Sequence, residues 1–317
     1  MGESEATPNP VSFSAGSPDS QHRVPGAIHP RFAQFTRALS SRAKLVRFGD
    51  VPVLLAHPNW RSETSSPCPV MLWMHGRTVS KEIDPGRYVR WLRAGIAVCA
   101  IDLPGHGERL DAELQKPTRT LEVLAQAVDE INSIVTNLKS AQWDEHGPLG
   151  LFDTTRMGIG GMSAGGMVTL RRLSEPHGFA CAAVEGTTGW LDALYTPEAY
   201  EVMPRGERWA VPSDAAAVAR VDSMPLVQAF RPIPILAMHS EADAIVPLEG
   251  QRRYLDALRE AYVMKGKDPG LIRLVTWPTT GAPGEHAGFG RYAAEAKTIQ
   301  TEYLANMLGA RATDNHE

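Results

Sequence analysis

The sequence predicts an α/β fold, with a mostly parallel central sheet covered by helices on both faces. Three observations predict it. Short apolar runs alternate with amphipathic segments of helical period along most of the chain. Several of those short runs, such as Ile96 to Ile101, are apolar at every position, as strands buried on both faces are. Finally, Gly161-Met162-Ser163-Ala164-Gly165 joins a strand-like run to a helix-like one. A strand that turns abruptly into a helix holds one side chain in a strained, exposed position, with small residues on either side so that the backbones can pass.

The elements follow in order. Arg31 to Ala43 has helical spacing, and Ala43 to Phe48 and Val51 to Ala56 read as strands joined at Gly49-Asp50, a hairpin signal. Pro69 to His75 is a short apolar strand. Pro85 to Ala94 is an amphipathic helix stopped by Gly95, and Ile96 to Ile101 is a buried strand. From Thr120 to Leu138 the residues Leu121, Leu124, Val128, Ile131, Val135 and Leu138 recur at helical spacing. Arg156 to Gly160 is the strand before the turn, and Met167 to Leu173 begins the helix after it. Ala180 to Val184 is the next strand, followed by an irregular stretch. Pro234 to His239 and Ile272 to Trp277 are strands, separated by a helix from Leu248 to Tyr262. Gly288 to Met307 closes the chain as a helix.

Composition narrows the function classes. A chain of 317 residues, 43% hydrophobic and 21% charged, has the make-up of an ordinary globular domain. A net charge of −4 gives no footprint for nucleic acid or an anionic membrane surface. No apolar run approaches the ~20 residues of a membrane span. Cys68, Cys99 and Cys181 are scattered, which argues against a disulfide framework and a zinc site. Residues 1–26, rich in Ser, Pro, Gly and acidic residues, read as a disordered tail with neither the basic start nor the apolar core of a secretory signal. A cytoplasmic location is the default expectation. Residues 27–317 form the folded domain.

An average chain of this length shows G-x-S-x-G by chance about one time in ten, so the motif needs support. Ligand sites in parallel sheets lie beyond the carboxyl ends of the strands, which supplies a test. Ser163, the candidate nucleophile, follows one strand. Asp243 lies just past the Pro234 to His239 strand, where a buried carboxylate can hold an imidazole in one tautomer. Glu241 is a nearby alternative. His286 follows the Ile272 to Trp277 strand, and an imidazole there can take the Ser163 proton and return it to a leaving group. Of ten histidines, only His286 and His316 lie beyond Asp243, and His316 is in the C-terminal tail. His75-Gly76-Arg77 follows the Pro69 to His75 strand. The Arg77 amide there and the Ala164 amide beside the nucleophile are the candidate oxyanion donors.

With those residues in view, the sequence resembles the α/β-hydrolases, and more narrowly the dienelactone hydrolases and prolyl-oligopeptidase-like serine esterases. The resemblance is carried by Trp73-Met74-His75-Gly76, Asp102-Leu103-Pro104-Gly105-His106-Gly107-Glu108-Arg109, the stretch from Asp153 to Gly166, His239 to Pro247, and His286-Ala287-Gly288-Phe289. It spans the sheet from about residue 45 to the C-terminus. It implies an α/β-hydrolase fold with the nucleophile–acid–base order Ser163, Asp243, His286, no cofactor and no metal. It also makes His106 a turn residue rather than a metal ligand with Glu108. Dienelactone hydrolases carry a Cys nucleophile, whereas Ser163 holds that position here, so the esterase branch fits better. Glu185, at the end of the strand after the turn helix, is a reserve acid.

The stretch from 186 to 231 interrupts the alternation and is expected to form a small helical cap. Its Trp190, Tyr195 and Trp209, with His75 and Gly76, are the expected substrate-pocket residues, although aromatics there also serve to pack a cap onto a sheet. Arg205 and Arg208 are positioned to bind a substrate carboxylate or simply to be solvated. The reading is a carboxylesterase-type hydrolase acting on a small-molecule ester of small or medium size through an acyl-enzyme. The rival within serine hydrolases is an aminopeptidase or amidase, with Glu201 or Glu207 available for a substrate amine. A rival from another class is a non-catalytic ligand-binding protein on the same fold. Oligomeric state is not legible, and a homodimer is one option.

Overall fold

The computed structural model describes residues 35–59, 67–139, 151–196 and 214–312. The expected N-terminal tail lies outside them. Eight strands form one sheet: β1 (Ala43–Phe48), β2 (Val51–Ala56), β3 (Cys68–Met74), β4 (Ala97–Ile101), β5 (Phe152–Met162), β6 (Cys181–Glu185), β7 (Ile235–Ser240) and β8 (Ile272–Trp277). Their order is β1-β2-β4-β3-β5-β6-β7-β8. The β1–β2 hairpin is antiparallel and β2 pairs antiparallel with β4. Every later pairing is parallel. This is the α/β-hydrolase fold. The central strands β4 and β6 are buried at every position, as their unbroken apolar runs require.

The helices are α1 (Arg37–Ser40), α2 (Pro85–Arg93), α3 (Thr120–Lys139), α4 (Ala164–Leu173), α5 (Asp192–Tyr195), α6 (Ala215–Val221), α7 (Leu248–Met264) and α8 (Ala293–Leu308). Asp84 caps α2 by accepting the Arg87 N–H at 3.2 Å, with Pro85 as its first residue. In α3 the periodic residues Leu121, Leu124, Val128, Ile131 and Leu138 are buried, and α3 packs on α4. Helices α2 and α8 pack together. Among the described residues no helix is long and apolar enough to cross a membrane.

Three expectations are corrected. The helix expected over 31–43 is, where described, only α1, because Ala43 already pairs with Ala56 in the hairpin. Strand β5 begins at Phe152, four residues early: Phe152 and Asp153 pair with Cys68 and Pro69, and the register then jumps so that Met157 meets Val70. The last helix starts at Ala293 instead of Gly288, since Gly288, Phe289 and Gly290 all take positive φ, which a helix cannot use. Within 186–231 the described residues hold α5, α6 and a 3-10 segment, Met224–Ala229; residues 197–213 lie outside the description.

Candidate active site

Ser163 sits between β5 and α4 at φ +52°, ψ −116°, a conformation sparsely populated for any residue with a β-carbon. Two close backbone approaches explain the flanking glycines. A β-carbon on Gly161 would lie 2.4 Å from the carbonyl carbon of Gly165, and one on Gly165 would lie 2.3 Å from the Met74 carbonyl oxygen. The turn is held from the end of β6 and the residues just after it: the Ser163 N–H donates to the Glu185 carbonyl at 2.8 Å and the Thr187 hydroxyl donates to the Ser163 carbonyl at 2.8 Å.

The structure brings Ser163, His286 and Asp243 into one hydrogen-bonded chain from three separate strand ends. Ser163 Oγ is 2.9 Å from His286 Nε2, and His286 Nδ1 is 2.7 Å from Asp243 Oδ2. The other carboxylate oxygen of Asp243 accepts the Ile245 and Val246 N–H groups, each at 2.8 Å. His239 Nε2 lies 3.3 Å from Asp243 Oδ2 and 2.8 Å from the Val246 carbonyl. Burial pushes the Asp243 carboxyl up, but the hydrogen bonds from His239 and His286 outweigh it and hold the group down at about 2. An ionised Asp243 accepts the Nδ1 proton of His286, which leaves Nε2 free to accept the Ser163 hydroxyl proton. The set has the parts needed for nucleophilic attack with general-base assistance.

The Gly76–Arg77 peptide lies beside the serine: a β-carbon on Gly76 would be 3.4 Å from Ser163 Cβ. His75 is 1% exposed, so its ring is not a pocket wall, contrary to the sequence expectation. Nε2 accepts the Leu103 N–H at 3.0 Å and Nδ1 donates to the Gly76 carbonyl at 2.6 Å. Burial lowers its pKa to about 4, so it stays neutral. Because the peptide is trans and planar, pinning the Gly76 carbonyl turns the Arg77 N–H away from the His75 ring. The Arg77 and Ala164 N–H groups find no acceptor among the described residues. The Arg77 guanidinium reaches instead to the carbonyls of Leu114 (2.9 Å) and Lys116 (3.2 Å).

Trp190 and Tyr195 are buried members of the core, and burial pushes the Tyr195 phenol up to about 12. Each is 8% exposed and packs with the apolar side chains of the core. Trp209, Arg205, Arg208, Glu201 and Glu207 lie outside the described residues. Glu185 is not in reach of a reserve role: its carboxylate is clasped by both terminal nitrogens of Arg87 and by Gln300, all buried. Glu241 is engaged by the Thr276 hydroxyl at 2.7 Å. His106 donates Nδ1–H to Pro104 at 2.7 Å, while Glu108 binds Lys81 Nζ at 2.6 Å. Among the described residues no group of three or more His, Cys, Asp and Glu is placed to hold a metal.

Sequence reasoning named Asp102 only as the start of a loop motif, without a role, and passed over Lys81. Asp102 accepts the Lys81 ammonium (2.8 Å), the Lys81 N–H (2.9 Å) and the Glu108 N–H (2.9 Å), tying the loop after β3 to the loop after β4. An acidic residue opening a Pro-Gly-x-Gly turn was the available signal for it. Nothing in the sequence singles out Lys81.

Residues 140–309, just over half of the chain, match the prolyl oligopeptidase family. The chain belongs to the prolyl oligopeptidase family. It is a serine hydrolase, of the esterase or peptidase kind. Esterase YjfP of Escherichia coli (strain K12) is 24% identical over 214 residues, covering 67% of this chain and 82% of the relative. Two solved structures share the fold. The TT1662 protein of Thermus thermophilus is 21% identical at a TM-score of 0.58, with 85% of this chain and 100% of that one covered. The acylaminoacyl peptidase of Pyrococcus horikoshii is 16% identical at a TM-score of 0.60, and this chain spans 42% of it.

Proposed function

We propose that the protein is a carboxylesterase that cleaves small or medium esters through an acyl-enzyme on Ser163. The observation that carries this reading is the unbroken chain from Ser163 Oγ through His286 to Asp243, at 2.9 and 2.7 Å. In the first half-reaction Ser163 Oγ attacks the ester carbonyl carbon as His286 Nε2 takes its proton. The imidazolium that forms is stabilised by ionised Asp243, which keeps its own negative charge. The carbonyl oxygen, now an oxyanion, is received by the Arg77 and Ala164 amides. His286 then protonates the departing alcohol. In the second half-reaction His286 deprotonates water, which attacks the acyl-enzyme and releases the acid.

Similarity to an esterase over 82% of that relative's length supports ester over amide substrates. Family membership and the likeness to an acylaminoacyl peptidase support the amide alternative, which uses the same triad. The experiment sets p-nitrophenyl esters of increasing acyl length beside aminoacyl p-nitroanilides, for wild type and Ser163→Ala. Ester turnover abolished in the variant is the expected result. Efficient anilide turnover with negligible ester turnover would replace the esterase reading with the peptidase one. Ester turnover that survives in Ser163→Ala would remove Ser163 from the mechanism.

A further inference from the structure

His286 rides on a loop whose backbone is unusually demanding. Gly281, Gly284, Glu285, Gly288, Phe289 and Gly290 all have positive φ, and for Glu285 (φ +53°) and Phe289 (φ +63°) that region is disfavoured by the β-carbon. Such a segment keeps one conformation only if surrounding bonds over-determine it. The bonds here converge on one side chain. Glu285 Oε2 accepts the Ser240 hydroxyl at 2.9 Å, the Thr280 N–H at 2.5 Å and the Thr280 hydroxyl at 2.7 Å, while Oε1 accepts the Gly281 N–H at 2.8 Å. Ser240 is the last residue of β7, three residues before Asp243. A second link joins the same two loops, since the Ala244 N–H donates to the Gly284 carbonyl at 3.1 Å.

We propose that Glu285 is a positioning residue for His286: its carboxylate clamps the 279–286 loop to the end of β7, keeping the imidazole in register with Asp243 and Ser163. This rests on the hydrolase reading above. Four donors on one carboxylate also explain why an acid stands there. The hydrogen bonds from Thr280 and Gly281 hold its pKa at about 2, so all four acceptor sites persist at neutral pH. A glutamine in its place turns an N–H₂ group toward an N–H donor and loses part of the clamp.

The test compares wild type with Glu285→Ala, Glu285→Gln and Ser240→Ala. Four readouts are taken: kcat and KM on p-nitrophenyl acetate, the rate of Ser163 labelling by a fluorophosphonate, the thermal midpoint, and the downfield proton resonance of His286 Nδ1–H, assigned with His286→Gln. Glu285→Ala is expected to lower kcat and labelling about 10²-fold, the cost of roughly 1 Å of misplacement, with KM nearly unchanged and the downfield proton lost or shifted. Ser240→Ala, which removes one contact and leaves the turn intact, should lose about tenfold, as for one hydrogen bond to a charged group. Should Glu285→Ala not fold, the Gln and Ser240 variants decide the matter alone. Wild-type kcat and an unshifted downfield proton in folded variants would overturn the proposal, as would losses fully accounted for by the unfolded fraction. A wild type that neither turns over nor labels would sink the hydrolase reading instead. The downfield proton would then decide the role of Glu285, persistence in Glu285→Ala refuting it.

Discussion

Replacing Asp243 by Asn asks whether that carboxylate orders the site, and its consequences can be worked through bond by bond. Oδ1 accepts two backbone N–H groups at 2.8 Å, and Oδ2 accepts His286 Nδ1 at 2.7 Å. An amide has one oxygen. Keeping the two backbone bonds places its N–H₂ against His286 Nδ1, which must then become the acceptor. The imidazole proton moves to Nε2, the atom facing Ser163 Oγ, and the general base is lost. A wrong tautomer costs about 10⁴ in kcat, or about 5.5 kcal/mol of transition-state stabilisation. The same substitution removes a pH-dependent stability term. The folded-state pKa of about 2 lies below the ordinary 3.8, a difference of roughly 2 kcal/mol. Because the folded value is depressed, this stabilisation is complete above the unfolded carboxyl's pKa and fades as pH falls from there through about 2. Asp243→Asn should therefore flatten the fall of the thermal midpoint between pH 5 and 2. Saturating turnover of p-nitrophenyl acetate at pH 7, with melting curves across that range, measures both. A kcat within tenfold of wild type would refute the tautomer argument.

Ser163→Gly should abolish turnover yet raise stability by about 1 kcal/mol, since glycine occupies φ +52° without strain; a lower thermal midpoint would contradict the strained-turn reading. Gly165→Ala would push a β-carbon to 2.3 Å from the Met74 carbonyl oxygen, where only backbone can give way; a denaturant titration should show a loss of about 3 kcal/mol or more, and a neutral result would mean the turn is looser than described. Glu185→Gln leaves the buried Arg87 guanidinium with Asp84 as its remaining carboxylate partner and should cost about 3 kcal/mol while sparing kcat per labelled active site. A large kcat loss at unchanged stability would instead return Glu185 to the chemistry.

Much of the architecture is carried by local pattern. The unbroken apolar runs of β4 and β6, the periodic apolar face of α3 and the small residues around Ser163 each state their element within a few neighbours. Ser163, Asp243 and His286 could be picked out as a set because chain order and a position after a strand are both sequence properties, and in a parallel sheet those positions gather at the carboxyl ends of the strands. What failed shares one cause. The start of β5 depends on a register jump against β3, and the start of α8 on a loop bent to carry His286. The side-chain partners of His75 and Glu185 depend on which residues lie across the fold.

By itself, then, the sequence determined the layered α/β class, the strand-to-helix turn at Ser163 and the order serine, acid, histidine, because burial periodicity and backbone sterics act between near neighbours. Only the tertiary structure decided that Asp243 and not Glu241 or Glu185 meets His286, that His75 pins a peptide instead of facing substrate, and that Glu285 ties two loops together. The two hydrogen bonds of the triad join residues 43 and 123 positions apart, and such pairings exist only once the whole sheet has brought the strand ends together.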